Sequence, residues 1–313
     1  MPLDPHLAGV LQMLADAGRK PTWMGTPEEG RAGYIALTVG TLKPEDVVPV
    51  ASVENTRIDG AAGPMKARIY RPEGAGPFPT VCYFHGGGYV IGDLDTHDNM
   101  CRDLCRGARA VVVSVDYRLA PEHPFPAGIE DAIAGARWVM SHARELGGTD
   151  IVGIAGDSAG GNFSAVVAQQ LRDAPQPLAA QFLIYPAVDH LEAGHPSMEE
   201  NAKGYLLELE TMKWFYKHYA GDWKDMTDPR IAPLQAKDLA GLPPAVILTA
   251  EFDPLRDEGE AYGRALQAAG VQADVIRGDG MIHAFFDMGR WSPAARTYID
   301  RAVGRFGEVL RGG

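Results

Sequence analysis

The sequence is poor in cysteine and has no long hydrophobic run. Three cysteines in 313 residues cannot all pair within one chain, which argues against a disulfide scaffold and favours a reducing compartment. No apolar stretch is long enough to cross a bilayer, and the first ten residues lack the basic start and apolar run of a secretory signal. We therefore expect a cytoplasmic protein that does not associate with membranes.

Basic residues are also scarce. Lysine and arginine number 29 against 41 aspartates and glutamates, a net charge of -12, and no basic run creates a local exception. Such a chain repels phosphate backbones and anionic lipids, so nucleic acid is not an expected partner.

The sequence also lacks the spacing of a metal site or a nucleotide site. Cys101 and Cys105 are four residues apart but have no third ligand at metal-site spacing, and Asn162 stands where a phosphate-binding loop needs lysine. We expect neither a metal nor a cofactor.

What is present is a large apolar fraction, 46 %, arranged as short β-branched runs that alternate with longer segments of helical period. This pattern predicts an α/β fold with a mostly parallel sheet of about eight strands, covered by helices. The predicted strands are Val53–Arg57, Met65–Tyr70, Thr80–Phe84, Ala110–Val115, Ile151–Ala155, Gln181–Tyr185, Ala245–Thr249 and Ala273–Ile276. The predicted helices are Thr96–Arg106, Ile129–Leu146, Gly161–Arg172, Leu255–Ala268 and Pro293–Leu310.

Two segments depart from this alternation. Residues 1–48 combine an amphipathic helix near Leu7–Ala17 with a proline- and glycine-rich stretch, and residues 189–225 are crowded with aromatic side chains. We interpret the two segments as a helical cap over the carboxyl edge of the sheet, where open α/β folds bind ligands. The catalytic domain then comprises residues 49–188 and 226–313. The alternative is that the aromatic cluster only packs one helix against the domain.

The pentapeptide Gly156-Asp157-Ser158-Ala159-Gly160 lies between a predicted strand and a predicted helix. A sharp strand-to-helix turn leaves a serine exposed on a strained backbone, and glycines at both flanks relieve the crowding. The helix amino terminus favours negative charge beside it. This context predicts that Ser158 is the nucleophile of an α/β hydrolase.

A glycine loop, His85-Gly86-Gly87-Gly88, follows the third predicted strand. Acyl transfer builds negative charge on an oxygen, and successive glycines let backbone N–H groups approach it without obstruction. In this fold the loop after the third strand supplies oxyanion donors, together with the residue after the nucleophile. We therefore assign the donors to Gly87, Gly88 and Ala159, and expect His85 to brace the loop by hydrogen bonding.

Chain order selects the base and narrows the choice of acid, because in this fold the serine is followed by the acid and then by the histidine. Five of the nine histidines precede Ser158 and three lie in the predicted cap, which leaves His283. Three acids, Glu251, Asp253 and Asp257, follow the strand that begins at Ala245. Loop placement favours Asp253, because Asp257 should already be helical and Glu251 is closer to the strand.

Five blocks together resemble the hormone-sensitive-lipase-like family of bacterial esterases. They are His85–Gly88, Asp116–Glu122, Gly156–Gly161, Asp253–Gly259 and His283–Phe285, and the motif Gly-Asp-Ser-Ala-Gly-Gly points to the subfamily with aspartate before the nucleophile. The resemblance implies a cytosolic carboxylesterase of the α/β-hydrolase fold, without metal or organic cofactor, that prefers short to medium acyl chains. It also implies a two-part cap and a possible homodimer.

The substrate pocket is the least determined part of the site. Candidates for its walls are Tyr89, Tyr185, Leu206 and Phe285. Two rival functions stay open: an amidase or arylformamidase that uses the same residues on a C–N bond, and a non-catalytic ligand-binding receptor on the same scaffold. Retention of the complete set of serine, aspartate and histidine argues against the receptor.

Overall fold

The computed structural model describes residues 1–18 and 20–313. Within them, eight strands form one sheet in the order β1-β2-β4-β3-β5-β6-β7-β8. Strand β2 pairs antiparallel with both β1 and β4, and the other pairs are parallel. The predicted fold class is confirmed. The strands are β1 (Ser52–Gly60), β2 (Gly63–Arg71), β3 (Phe78–Phe84), β4 (Val111–Val115), β5 (Gly148–Asp157), β6 (Ala180–Ile184), β7 (Ala245–Phe252) and β8 (Ala273–Ile282).

Helices cover both faces of the sheet, because its central strands are apolar on both sides. In β3, Val81 and Tyr83 pack with α3 and α9, whereas Cys82 and Phe84 face the opposite core with α4 and α5. This alternation follows the two-residue period of a strand. The helices within the described residues are α1 (Pro5–Asp16), α2 (Pro27–Thr38), α3 (Asp98–Ala108), α4 (Ala127–His142), α5 (Ala159–Gln170), α6 (Pro196–Glu200), α7 (Leu209–Ala220), α8 (Arg256–Ala268) and α9 (Pro293–Leu310). None of them is long and apolar enough to cross a membrane.

Four of these helices lie outside the sheet pattern. Helices α1 and α2 precede β1, and α6 and α7 stand between β6 and β7. The start of α2 is fixed by a capping box, in which the Thr26 hydroxyl accepts from the Glu29 N–H and the Glu29 carboxylate accepts from the Thr26 N–H. These helices belong to the two segments that the sequence set apart from the sheet.

The topology decides where functional groups gather. Strands β3, β5, β7 and β8 run parallel, so their carboxyl ends meet at one edge of the sheet. The residues that directly follow these strands are His85, Ser158, Asp253 and His283. Positions far apart in the chain are thereby brought to one place.

Candidate active site

Ser158 occupies the turn between strand β5 and helix α5. Its backbone lies at φ 54° and ψ -117°, a conformation that costs a residue with a side chain on the order of 1–3 kcal/mol. The Ser158 N–H donates to the Ile184 carbonyl at 2.8 Å, which holds the turn against the neighbouring strand. A side chain at Gly160 would overlap the Phe84 carbonyl oxygen. Glycine is therefore required for the tight approach that presents the Ser158 hydroxyl at the edge of the sheet.

A continuous chain of hydrogen-bonding groups leads away from this hydroxyl. The Ser158 Oγ lies 3.0 Å from His283 Nε2, and His283 Nδ1 lies 2.7 Å from Asp253 Oδ2. Asp253 is fully buried, and its second oxygen, Oδ1, accepts the Leu255 N–H at 2.9 Å. With both carboxylate oxygens engaged, Asp253 holds the imidazole so that Nδ1 carries a proton and Nε2 is free to accept one from the serine.

The two other acids near β7 are engaged elsewhere. Asp257 accepts the Ser197 N–H at 2.8 Å and pairs with Arg256 at 2.8 Å. Glu251 accepts the Gly280 N–H at 2.6 Å. Of the three acids considered from the sequence, the structure therefore brings Asp253 to the histidine.

The three proposed oxyanion donors lie on the wall of a cavity that also contains Ser158 and His283. Among the described residues, the N–H groups of Gly87 and Gly88 donate to no backbone carbonyl in the loops and turns. Ala159 begins helix α5, where N–H groups lack helical partners. Gly88 has φ 57°, and a side chain there would overlap the Phe215 ring of α7. The loop is therefore shaped for backbone groups rather than side chains to face the serine.

His85 lies in the core and braces this loop. Its Nδ1 is 2.8 Å from the Gly86 carbonyl oxygen, its carbonyl accepts the Tyr117 hydroxyl at 2.6 Å, and its ring stacks on Tyr117 at 4.2 Å. Burial lowers the pKa of His85 to about 4, so the ring is neutral at physiological pH and Nδ1–H can donate to the carbonyl. These contacts match the bracing arrangement expected from the sequence.

A second buried ionisable pair, Asp157 and His97, adjoins the serine. Asp157 accepts hydrogen bonds from the Gly86 N–H at 2.8 Å and from the Tyr83 hydroxyl at 2.6 Å, and His97 Nε2 lies 3.4 Å from its Oδ2. Burial alone would raise the pKa of Asp157, but the neighbouring His97 and these hydrogen bonds outweigh it and lower the pKa. Burial lowers the pKa of His97, but the neighbouring Asp157 raises it by more, so the pKa of His97 lies above its ordinary value. Both shifts favour a charged pair.

The cavity above the serine has a volume of about 340 Å³, within the range of small-molecule sites. One wall comes from the segment before β1, including Leu11, Leu14 and Leu37, and another from the segment between β6 and β7, including Leu206 and Phe215. The lining is mostly apolar, and Ser158 and His283 belong to it. The site therefore suits a small ligand with an apolar chain and one reactive polar group.

The four pocket candidates from the sequence divide into two pairs. Tyr89 and Leu206 line the cavity, although the Tyr89 ring is buried and stacked on Tyr219 at 3.8 Å. Tyr185 and Phe285 lie outside the set of described residues that line the cavity. Tyr185 lies 4.7 Å from the His283 ring and Phe285 is fully buried behind it, because the chain turns into the core after His283.

Asp157 and His97 were not predicted from the sequence as members of the site. Chain order removed His97 as a base, and its place in the first turn of the predicted helix Thr96–Arg106 gave no reason to assign it another role. One signal was available, since a carboxylate at Asp157 that ends an apolar strand must be paired or hydrogen-bonded when buried. No sequence pattern indicated that His97 is the partner.

An eight-stranded, mostly parallel sheet with serine, aspartate and histidine after β5, β7 and β8 defines the class of α/β hydrolases. The family model described as the α/β hydrolase fold matches residues 81–287. The chain belongs to this family, and within it to the hormone-sensitive-lipase-like branch of esterases. The resemblance seen in the sequence motifs is confirmed.

Named relatives cover most of the chain. Esterase LipI of Mycobacterium tuberculosis is 45 % identical over 276 residues, which is 86 % of this chain and 85 % of the relative. Ethyl acetate hydrolase of Pseudomonas putida is 38 % identical over 304 residues, or 92 % of this chain and 93 % of the relative.

Solved structures agree over nearly the whole length. A hyperthermophilic esterase of Pyrobaculum calidifontis superposes with a TM-score of 0.91 at 39 % identity, covering 100 % of this chain and 99 % of that one. An ester hydrolase from the metagenome of Lake Arreo, solved with a derivative of bipyridine phosphonate, gives a TM-score of 0.92 at 40 % identity, covering 98 % and 99 %.

Proposed function

We propose that this protein is a serine carboxylesterase that hydrolyses short- to medium-chain carboxylic esters through an acyl-enzyme. The observation that carries the proposal is the hydrogen-bonded series from Ser158 Oγ to His283 Nε2, 3.0 Å, and from His283 Nδ1 to Asp253 Oδ2, 2.7 Å. This series ends in a cavity lined by Gly87, Gly88 and Ala159. The esterase names of the relatives support the same reaction.

In the first half of the reaction, Ser158 attacks the ester carbonyl while His283 takes the serine proton. Asp253 stabilises the imidazolium that forms, because its carboxylate is already 2.7 Å from Nδ1. His283 then returns the proton to the alcohol as it leaves, and an acyl group remains on Ser158. In the second half, water repeats the sequence on the acyl-enzyme and releases the acid.

Negative charge develops on the carbonyl oxygen in both halves. The N–H groups of Gly87, Gly88 and Ala159 would receive this charge, since these residues line the same cavity as Ser158 and are preorganised by the loop and the helix start. Donors of this kind contribute about 10²- to 10³-fold each in kcat. The Phe215 ring, packed against Gly88, supports this part of the loop.

The substrate preference follows from the cavity. Its volume of about 340 Å³ and its leucine-rich walls favour an acyl chain of limited length, with affinity supplied by burial of apolar surface.

We extend the proposal to the domain division: residues 1–48 and 189–225 form a helical cap, and residues 49–188 and 226–313 form the catalytic domain. The contribution of both segments to the cavity wall supports this division.

Two further parts of the proposal concern the setting in which the enzyme works. Three buried free cysteines are compatible with a reducing compartment, and we propose the cytoplasm. The family resemblance suggests a homodimer, which sedimentation analysis of the purified protein would test.

The function is tested with a fluorophosphonate probe and a series of acyl esters. The probe should form an adduct on Ser158 at neutral pH in the folded protein, and Ser158→Ala should abolish both the adduct and turnover. The substrates are p-nitrophenyl esters with acyl chains of roughly two to twelve carbons, a range chosen to include chains shorter and longer than the cavity can hold. Their kcat/KM should be highest at short or medium chain length. A matched amide should react far more slowly.

Other results would change the conclusion. A faster reaction with the amide than with its matched ester would replace the esterase by an amidase. No adduct on Ser158 in folded protein would exclude serine catalysis and leave the binding-receptor hypothesis.

A further inference from the structure

The Asp157 carboxylate connects the glycine loop, which carries the proposed oxyanion donors, to the turn that carries Ser158. Through its backbone it directly precedes Ser158, and through Oδ1 it accepts the Gly86 N–H at 2.8 Å, which belongs to the residue before the proposed oxyanion donors Gly87 and Gly88. Oδ1 also accepts the Tyr83 hydroxyl at 2.6 Å. One carboxylate oxygen therefore ties the glycine loop to the serine turn.

The Asp157 side chain is buried and packs closely against the backbone of Gly86. Asp157 is only 3 % exposed, and a side chain at Gly86 would overlap both its carboxylate and its backbone carbonyl. Burial of a charge without a partner costs several kcal/mol. The geometry is thus specific to an acidic or amide side chain that accepts from Gly86 and Tyr83.

His97 supplies the partner on the other side. It is fully buried, its Nε2 lies 3.4 Å from Asp157 Oδ2, and its Nδ1 lies 2.9 Å from the Thr96 hydroxyl. Nε2 also lies 3.2 Å from the Gly86 nitrogen, but the Gly86 N–H is closer to Asp157 Oδ1, at 2.8 Å, so a proton on Nε2 leaves Oδ1 as its acceptor. The oxygen that faces His97 is different from the one that accepts from Gly86. Hydrogen bonding to the loop and pairing with a cation are therefore assigned to separate oxygens of the same carboxylate.

We propose that Asp157 is a positioning residue that fixes the oxyanion loop relative to Ser158, and that His97 is its counter-charge. The inference rests on the proposed esterase function and deepens it. An unbalanced carboxylate beside the donors would repel the negative charge that develops on the substrate oxygen, since charges in a low-dielectric site interact strongly. A protonated His97 removes this repulsion while leaving Oδ1 free to hold the loop.

The ionisation of His97 depends on groups from every element around it. Asp157 from β5 and Asp287, in the short helix Phe285–Met288, favour its charged form, as does Asp93 in the preceding loop. The Tyr34 hydroxyl in α2 lies 3.4 Å from His97 Nε2. The rings of Tyr34, of Tyr83 in β3 and of His85 in the glycine loop pack against the imidazole. We therefore expect kcat to fall at alkaline pH as His97 loses its proton.

The first test separates the two oxygens. Asp157→Asn keeps an acceptor for Gly86 and Tyr83, so kcat should stay within about tenfold of the wild type, whereas Asp157→Ala should lose about 100-fold or more in kcat, the effect of losing an oxyanion donor. KM should change less than about threefold in both, because the apolar walls that bind the acyl chain are untouched. Asp131→Asn is the matched control: Asp131 is buried, pairs with Arg118 at 2.6 Å, and should leave kcat unchanged.

The second test is a double-mutant cycle. His97→Gln retains a donor toward Asp157 but lacks the charge, and we expect about a tenfold loss of kcat in the wild-type background and less than about twofold in Asp157→Asn, where there is no charge to balance. The alkaline decrease in kcat should be absent from Asp157→Asn. Three results would overturn the inference. The losses of kcat in the cycle could be additive, the alkaline decrease in kcat could persist unchanged in Asp157→Asn, or a folded Asp157→Ala could keep kcat near the wild-type value.

Two readouts keep this inference distinct from the function itself. Thermal melting of each variant reports folding, and NMR titration of the His97 imidazole, assigned with His97→Gln, reports the pair without any turnover. His97 should titrate at lower pH in Asp157→Asn. If the wild type fails to hydrolyse esters but shows this shift, the proposed function fails and the charge pair stands. If it hydrolyses esters and the variants behave as the wild type, the inference fails.

Discussion

Replacement of each acid near strand β7 by its amide gives the sharpest test of the proposed triad. In Asp253→Asn the side chain meets two donors, the Leu255 N–H at 2.9 Å and the His283 Nδ1 at 2.7 Å. A carboxamide has one oxygen and one NH₂ group, so it satisfies only one of these donors. The conflict is relieved when His283 adopts the other tautomer, with its proton on Nε2 facing Ser158.

A histidine in that tautomer cannot accept the serine proton. The corresponding change in a serine protease lowers kcat about 10⁴-fold, equivalent to about 5.4 kcal/mol of transition-state stabilisation, and we expect a similar loss here. Asp257→Asn and Glu251→Gln should remain within about threefold of the wild type, because these acids contact Ser197, Arg256 and Gly280 rather than His283.

The assay is steady-state hydrolysis of a short p-nitrophenyl ester at neutral pH, with circular dichroism to verify that each variant is folded. Fluorophosphonate labelling should slow in parallel with kcat in Asp253→Asn. The reasoning would be refuted if Asp253→Asn retained more than a tenth of the wild-type kcat, or if Asp257→Asn showed the 10⁴-fold loss instead.

Three other predictions concern the glycine loop, the contrast between the core residue Phe285 and the cavity-wall residue Leu206, and a buried acid. Gly88→Ala should lower kcat about 100-fold because its side chain would overlap Phe215, and adding Phe215→Ala should recover only part of the loss, since the left-handed backbone still costs about 1–2 kcal/mol. Phe285→Ala should destabilise the fold by about 3–5 kcal/mol in urea unfolding, whereas Leu206→Ala should shift the optimal acyl length with little loss of stability. Burial raises the pKa of Glu258 well above its ordinary value, so the stability associated with its protonated form is complete below about pH 4.5 and is lost as pH rises toward the folded-state pKa. Glu258→Gln should therefore be as stable as the wild type near pH 4.5 and more stable at pH 8 in thermal melts; the opposite trend would contradict this.

The sheet and its order of functional residues were accessible from the sequence because local patterns determine them. All eight predicted strands exist, yet several are longer than the apolar runs from which they were predicted. Strand β8 was predicted as Ala273–Ile276 and extends to Ile282. Its second half contains two polar residues, Arg277 and Asp279, and two glycines, so the apolar pattern of a strand is lost there. Strand β7 likewise extends to Phe252, so that Asp253 follows the strand directly.

The helices outside the sheet were predicted less completely. Helix α2 was interpreted as part of a proline- and glycine-rich stretch, although Pro27 at its first turn and the capping box between Thr26 and Glu29 are start signals. Proline is compatible with this position because it is the first residue of the helix. Pocket contacts were also beyond the sequence, because adjacency to His283 does not reveal that the chain carries Phe285 into the core.

The origin of the cavity walls has a consequence for how such an enzyme diversifies. The groups proposed to make and break bonds lie at the ends of strands, whereas the leucine-rich walls come from segments before β1 and between β6 and β7. Substitutions in those segments reshape the space available to a substrate while the hydrogen-bonded distances at the base stay fixed. Selection for a new ester substrate can therefore change the wall segments while the residues proposed to carry out the reaction stay the same.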